Sequence, residues 1–239
     1  MTYIVYMIKY LIRTLRPTIV FRKGVIKLQK AKSVVDFLSK CYKLSDTIRT
    51  GCKDWHVKRE RVESIAEHIY EVAMLAILMK SQYEYDVDIM KVVYMAVIHE
   101  LGEIKIGDYT PFQITREEKT RIERAAVHDM LKDLLDGPEI EALFLEFDTH
   151  ETAEAKLAHQ CDKAVAAIKS KWYDEEGCVD LAHQEGCQAI NDPLVQSLLQ
   201  NGESWSEMFI NYNLKTIDFD DNFREVLKYA ATHRMHQDD

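Results

Sequence analysis

Apolar residues recur at spacings of three and four along almost the whole chain, which is the pattern of amphipathic helices. No segment shows a sustained alternation of apolar and polar residues, so the pattern argues against β-strands. The segment 87–101 is apolar almost throughout its middle, as expected for a helix buried on most sides. We predict an all-α fold of about seven to nine helices, the main ones at 25–44, 62–79, 87–101, 115–135, 151–172, 193–199 and 223–233.

Local signals and composition support one helical domain. Thr115 and Glu118 form a capping box that begins one helix, and Gly137 followed by Pro138 ends it and begins another. Eight glycines and four prolines are too few for an all-β sandwich with many tight turns. The chain has 239 residues, 47% of them hydrophobic, which suits a single core. We place the domain at 25–239, with a core motif region at 50–175 and C-terminal helices at 190–236.

Residues 1–24 are predicted to form an N-terminal extension that is basic and apolar. No carboxylate precedes Asp36, whereas eight lysines and arginines do. The apolar run at 3–8 is too short to cross a bilayer, and no small-residue cleavage site follows it. An amphipathic segment on a membrane surface stays an alternative. We expect instead a helix packed on the domain or on a second subunit, or an extension with little order.

The net charge and the cysteine content narrow the range of binding partners and cellular locations that we expect. The net charge of -9 predicts a protein that nucleic acid backbones repel, although a small basic pocket could still bind a mononucleotide. The five cysteines contain no C-x-x-C motif and are odd in number. A zinc knuckle or a disulfide framework is therefore disfavoured, and reduced thiols predict a cytoplasmic protein.

Four residues form the candidate metal site. They are His68 on the second predicted helix, His99 and Glu100 at the end of the third, and Asp162 on a later helix. Crossing helices can bring such side chains together in a bundle core. A buried histidine followed by a buried acid is costly unless something pairs with them, and a metal would do so. One divalent ion is expected, either Mn, Co, Fe(II) or Zn, which accept imidazole and carboxylate together, or Mg.

Glu103 and Asp108 are the candidate catalytic acids. Glu103 lies four residues after His99, so the two share a face if the helix persists. The segment 107–111 reads as a turn, where substrate contacts often occur, and Thr110 lies in it. A metal lowers the pKa of a bound water from about 15.7 to about 7, and a nearby carboxylate can orient that water or take its proton. The grouping predicts metal-assisted hydrolysis of a phosphate ester.

The same residues carry a resemblance to a known family. The run at 61–68, the run His99-Glu100-Leu101-Gly102-Glu103 and the run at 107–111 resemble the HD-domain superfamily of metal-dependent phosphohydrolases, in its 5'-deoxynucleotidase-like branch. Asp162-Lys163 with Ala155-Lys156 fits the later acid of that branch, and 49–51 fits the R-T-G that precedes its first histidine. The likeness covers roughly residues 30–175. It implies an HD-type helical bundle.

The resemblance also implies a role for each matched residue. His68, His99, Glu100 and Asp162 match the metal ligands, while Glu103 and Asp108 match the catalytic acids. The basic residues before the first histidine bind phosphate in relatives, and Trp55 is a weak match to a tryptophan that contacts sugar or base. The implied substrate is a nucleoside or deoxynucleoside 5'-monophosphate, and the implied assembly is a homodimer. The candidate phosphate ligands are Lys58, Arg59 and Arg61.

Glu100 departs from the family pattern, which usually has Asp at this position. The extra methylene adds about 1.5 Å of reach, whereas catalytic geometry generally tolerates about 0.5 Å. The alternatives therefore include a catalytically weak module that binds a nucleotide or a metal without turnover. A second alternative keeps the enzyme but changes the substrate to another nucleotide phosphate, such as an alarmone or a cyclic nucleotide.

Overall fold

Helices make up the regular structure of residues 28–236, the part of the chain that the computed structural model describes. Within this part the β contact is one antiparallel bridge between Ile48 and Ser64. Helix α1 covers residues 28–46. The later helices are α2 Thr50–Asp54, α3 Ile65–Gln82, α4 Ile89–Ile98, α5 Glu103–Ile106, α6 Arg116–Leu131, α7 Gly137–Thr149, α8 Ala153–Glu175, α9 Pro193–Gln200, α10 Trp205–Thr216 and α11 Asp221–Thr232, with a 3-10 turn at Ala189–Asn191.

The chain divides into two compact units, Met1–Tyr42 and Lys43–Asp239. In the first unit, residues 28–42 are helical. The predicted extension at 1–24 lies outside the described residues, and its boundary stays a prediction. The second unit holds all the helices from α2 onward and all the candidate site residues. No helix among the described residues is long and apolar enough to cross a membrane.

Helix α8 lies at the centre of the second unit. It packs against α3, α4, α7, α10 and α11. It buries small residues at every third position from 155 to 167, which let the neighbouring helices approach closely. These residues are Ala155, Ala158, Cys161, Ala164 and Ala167, all without measurable exposure. A central helix with close neighbours on several sides explains how its own polar residue, Asp162, becomes buried.

The start of α3 is fixed by its cap and by a short pairing. Ser64 and Glu67 form a reciprocal capping box at the N-terminus of α3. Beside it, the backbone N–H of Arg49 donates to the carbonyl of Glu63, and that of Ile65 donates to the carbonyl of Thr47. This pairing holds residues 47–49 against the first turn of α3, although about 15 residues separate the two segments.

Helix α4 ends earlier than predicted, at Ile98 instead of residue 101. Four turn residues separate it from the short helix α5. A Cβ on Gly102 would lie 3.0–3.3 Å from the Cγ, Cβ and Cα atoms of Glu123. Glycine therefore permits the turn to approach α6 closely, and the chain leaves the α-helical path as it does so. Glu103 consequently begins a new helix and does not extend the helix that precedes His99.

Helix α10 is an element that the sequence analysis did not predict. Its N-terminus carries a capping box formed by Ser204 and Glu207. Trp205 and Met208 on its inner face join a hydrophobic cluster that also holds Trp55 and Tyr173. This cluster attaches the C-terminal helices to the segment that precedes α3.

Candidate metal centre and cavity

Four buried side chains converge from three places in the fold. His68 lies on α3, Asp162 on α8, and His99 and Glu100 at the end of α4. Each offers one ligand atom, and these four atoms all lie within 4.8 Å of one another. The Nε2 atom of His68 is 2.9 Å from Oδ1 of Asp162 and 3.9 Å from Oε1 of Glu100. The Nε2 atom of His99 is 3.5 Å from the same Glu100 oxygen and 3.8 Å from the same Asp162 oxygen.

These separations fit a single divalent cation. Ligands held about 2.0–2.2 Å from one ion lie roughly 3–4.4 Å from each other. The clearest sign is Nε2 of His99, which is buried and has no hydrogen-bond partner. Its other ring nitrogen, Nδ1, lies 2.7 Å from the carbonyl oxygen of Ala96, which fixes the ring. Burial lowers the pKa of His99, so Nε2 keeps a free lone pair for a metal.

The second histidine is oriented by a carboxylate. Oε1 of Glu63 lies 3.3 Å from Nδ1 of His68, on the side of the ring away from Asp162. Burial and Arg49 lower the pKa of His68, but the contacts with Asp162 and Glu63 outweigh them and raise it. A carboxylate behind a metal-binding imidazole fixes its tautomer and orientation. Glu63 therefore belongs to the site, although the sequence analysis did not name it.

Glu100 is held in the ligand group by Arg49. The Nη1 atom of Arg49 donates to Oε1 of Glu100 at 3.0 Å. Burial raises the pKa of Glu100, but His99 and Arg49 outweigh burial and lower it to about 2. The longer side chain at this position thus reaches both the ligand group and a fixed guanidinium.

Glu103 lies beside the ligand group and pairs with Lys119. Only 3% of Glu103 is exposed, and its Oε1 accepts from the Nζ of Lys119 at 2.9 Å. Its Oε2 is buried and has no hydrogen-bond partner. Burial and the neighbouring Glu100 raise the pKa of Glu103 to about 10. With no cation bound, this carboxyl group is therefore protonated near neutral pH, and a divalent cation beside it would lower its pKa.

Asp108 is fixed by the N-terminus of α2. Its Oδ2 accepts from the backbone N–H of Thr50 at 2.6 Å and lies 3.9 Å from Nη1 of Arg49. The hydroxyl of Thr50 donates to the backbone carbonyl of Asp108 at 3.0 Å. Two residues of the R-T-G segment therefore position the second candidate acid.

A cavity of about 530 Å³ opens onto this group. Its wall includes His99, Glu100, Asp108 and Asp162, and it extends to Trp55 and Trp205. The two tryptophan rings meet edge to face, with centroids 6.0 Å apart. The volume falls within the range of small-molecule sites, about 300–1,000 Å³. One part of the cavity wall, beside the four candidate ligands, is therefore charged, and another part is aromatic.

A family model for the HD domain matches residues 41–198, about two thirds of the chain. The chain belongs to the HD domain family. A 5'-deoxynucleotidase of Schizosaccharomyces pombe is 33% identical to it over 190 residues, which cover 75% of this chain and 93% of that protein. A 5'-deoxynucleotidase of Dictyostelium discoideum is 32% identical over 150 residues, which cover 59% of this chain and 78% of that protein.

A solved HD-domain phosphohydrolase of Listeria innocua shares the fold with a TM-score of 0.52 and 18% identity, over 83% of this chain and 98% of that one. The predicted family, the all-α fold and the assignment as a hydrolase are confirmed by these matches. The group that could hold a metal lies where the HD motif residues meet.

The HD domain brings some of the sequence-predicted substrate residues to the cavity and leaves others outside. Trp55 and Thr110 line the cavity, and Oγ1 of Thr110 is buried without a hydrogen-bond partner. Lys58, Arg59 and Arg61 do not line it. These three are exposed.

Arg59 and Arg61 are already paired with carboxylates. Arg59 binds Glu176 through two hydrogen bonds of 2.7 and 3.0 Å, and Arg61 binds Glu67 at 2.6 Å. The backbone N–H of Lys58 donates to the carbonyl of Cys178 at 2.8 Å, which draws this segment toward the C-terminal end of α8. The phosphate-binding role of the three residues stays a prediction, and the structure gives it no geometric support.

Several further residues line the cavity that the sequence analysis did not name as site residues. Trp205 comes from the unpredicted helix α10. His159 is three residues before Asp162 on α8, and that spacing was the one hint that it shares the face of the metal ligand. The others are Lys119, Arg116, His150 and Lys163.

Proposed function

We propose that this HD domain is a divalent-metal-dependent phosphohydrolase that converts nucleoside 5'-monophosphates, deoxynucleotides in particular, to nucleoside and phosphate. The observation that carries the proposal is the buried, unpartnered Nε2 of His99 within a group of four potential ligands, with Asp108 on the cavity wall and the buried Glu103 close to Glu100. The relatives named as 5'-deoxynucleotidases support the substrate class. The cavity volume suits a mononucleotide.

The proposed roles follow from the contacts. His68, His99, Glu100 and Asp162 would hold the cation, which supplies Lewis acidity toward a phosphoryl oxygen and lowers the pKa of a nearby water. Glu103 accepts the proton of the attacking water, because its carboxyl group lies close to Glu100 and its buried Oε2 has no hydrogen-bond partner. Lys119 keeps that carboxyl group in place. Water adds to phosphorus, the bond from phosphorus to O5' breaks, and the nucleoside oxygen leaves with a proton.

Asp108 and the aromatic part of the cavity are proposed to place the nucleoside. Asp108 is held by Thr50 and faces the cavity, so it is the candidate to bind or protonate the sugar oxygen. Thr110 offers a free hydroxyl group, and Trp55 offers a ring face or edge for the sugar or base. Arg59 and Arg61 could bind phosphate only after their ion pairs with Glu176 and Glu67 break.

The test is a substrate panel on protein loaded with Mn or Co. Phosphate release is measured for all deoxyribo- and ribonucleoside 5'-monophosphates, with a cyclic nucleotide and an alarmone in parallel. We expect release from the 5'-monophosphates and none from the same protein carrying His68→Ala. Full activity in His68→Ala would rule out the site. Metal binding without turnover of any substrate would support the alternative of a binding module.

The finer properties of the enzyme are proposals as well. We propose one divalent ion per chain, with Mn, Co, Fe(II), Zn and Mg as the candidates, in a cytoplasmic homodimer that binds no nucleic acid. Elemental analysis identifies the ion that copurifies with the protein. Light scattering coupled to size exclusion measures the mass of the particle, and a mass equal to 27.9 kDa, that of one chain, would contradict the dimer.

A further inference from the structure

One wall of the cavity carries four nitrogen-bearing side chains from three elements. They are Arg116 at the start of α6, His150 at the end of α7, and His159 and Lys163 on α8. His159 and Lys163 are four residues apart and therefore lie on one face of α8. We call this group the cationic wall. None of its members was assigned a role in the chemistry above.

The cationic wall is a built arrangement. The rings of His150 and His159 stack with centroids 3.6 Å apart and planes inclined by 29°. Nδ1 of His150 lies 3.5 Å from Nη2 of Arg116. His150 has a backbone φ of 53°, in the left-handed region that residues other than glycine seldom occupy. Burial lowers the pKa of His159 to about 3, so the stack can offer neutral N–H donors between two fixed cations.

The cationic wall adjoins the metal ligands. The Nζ atom of Lys163 lies 2.8 Å from Oδ2 of Asp162, whose other oxygen faces the two ligand histidines. Phe147 lies between the two groups of rings. Its centroid is 5.2 Å from that of His99, 6.0 Å from that of His150 and 6.3 Å from that of His159. A ligand on the ion would therefore have Lys163 close beside it.

Charge balance singles out Arg116. The other cations on the cavity wall each have a carboxylate within 4 Å: Arg49 has Glu100, Lys119 has Glu103, Lys163 has Asp162 and Lys169 has Glu71. Among the described residues, no carboxylate lies that close to Arg116.

The position of Arg116 is itself unfavourable. It is the first residue of α6, where the helix dipole repels a cation. A local conflict of this kind, beside a strained His150, is expected where a side chain serves a ligand.

We propose that the cationic wall is the subsite for the phosphate group of the substrate, with Lys163 next to the ion and Arg116 at the cavity mouth. The proposal rests on the proposed function, because it names which residues recognise the phosphate monoester. It also moves phosphate recognition away from Lys58, Arg59 and Arg61. A phosphate dianion must enter a cavity lined by several carboxylates, and a guanidinium with no carboxylate within 4 Å supplies the charge-assisted hydrogen bonds that make entry favourable.

The experiment compares Arg116→Gln with Arg121→Gln as a matched control. Arg121 lies on the same helix, is exposed, and pairs with Glu118 outside the cavity. Calorimetry measures the Kd of inorganic phosphate for the Mn-loaded proteins, and initial rates give KM and kcat for a deoxynucleoside monophosphate. We expect Arg116→Gln to raise the Kd and the KM about tenfold or more, which is about 1.4 kcal/mol or more. Arg116→Lys should recover part of the loss, and Arg121→Gln should change nothing.

Two further readouts separate this role from a structural one. The Tm of Arg116→Gln should hold or rise, since a cation leaves the positive end of a helix. Binding of the corresponding deoxynucleoside, which has no phosphate, should be unchanged. The proposed phosphate subsite would be overturned if Arg116→Gln bound inorganic phosphate with the wild-type Kd. It would also be overturned if the wild-type protein bound no phosphate.

The two proposals fail separately. If wild-type protein binds inorganic phosphate through Arg116 but hydrolyses no nucleotide, the proposed function fails and the subsite stands. If nucleotides are hydrolysed with an unchanged KM in Arg116→Gln, the subsite fails and the proposed function stands.

Discussion

Two groups of cations in this domain differ in whether they line the cavity. Arg59 and Arg61 lie close before the first ligand histidine in sequence, yet both are exposed and bound to carboxylates outside the cavity. Arg49 and Arg116 are far more distant in sequence from His68, yet both line the cavity. The pairing of residues 47–49 with 63–65 returns Arg49 to the site, while the turn at His56 directs the segment after it outward. Nearness in sequence to a ligand is therefore a poor guide to nearness in space.

The largest effect on the cavity side is expected from Glu103→Gln. The amide keeps the shape but cannot take a proton, so kcat should fall by about 10²–10⁴-fold. Glu103 is not one of the four candidate ligands, so the metal content of the variant should stay at the wild-type level. Stopped phosphate assays and elemental analysis measure both quantities. An unchanged kcat would remove Glu103 from the proposed chemistry.

Glu100→Asp should have the next largest effect. The shorter side chain withdraws the carboxylate by about 1.5 Å from a position that Arg49 now fixes at 3.0 Å. We expect the affinity for Mn to fall about 10–100-fold, the range seen when a ligand loses its support. Competition with a chelator of known affinity measures the change. Tighter metal binding in Glu100→Asp would mean that Glu100 is an impaired substitute for Asp.

Arg59→Gln and Arg61→Gln test the other side of the comparison. Neither residue lines the cavity, so KM for the nucleotide should stay within about twofold of the wild type. Each surface ion pair contributes about 0–1 kcal/mol, so unfolding in urea should change little. A tenfold rise in KM in either variant would restore the phosphate role that the sequence suggests.

The smallest effect concerns acid sensitivity at the start of α3. Hydrogen bonds from Ser64, opposed by burial and aided by Arg61, lower the pKa of Glu67. A lowered pKa means that the stabilisation is present above the unfolded pKa of about 4.5 and is lost as the pH falls through the folded value. The difference in unfolding free energy between wild type and Glu67→Gln should be about 1 kcal/mol or less at pH 7. It should shrink below about pH 4, and a difference that grows toward acid would contradict the assignment.

The sequence could predict which four residues converge, because their signal is local and chemical, while their role as metal ligands stays a prediction. His68, His99, Glu100 and Asp162 each lie in a run with a recognisable pattern, and the apolar run before His99 indicates burial. Helix α10 was missed although its sequence carries the signal, since Ser204 and Glu207 form a capping-box pattern and Trp205, Met208, Phe209 and Tyr212 recur at helical spacing. Arg116, His150 and Lys163 could not be predicted, since their convergence depends on how α6, α7 and α8 cross. The close approach of Gly102 to Glu123, in the turn that follows α4, is likewise a tertiary contact.

The most direct test of the account is the metal content of wild-type protein and of His99→Ala, measured by elemental analysis after loading with Mn and removal of free ion. We predict about one cation per wild-type chain and none in His99→Ala. A bound metal accounts for the buried, unpartnered Nε2 of His99, and the variant lacks that atom. Retention of one tightly bound ion by His99→Ala would contradict the account.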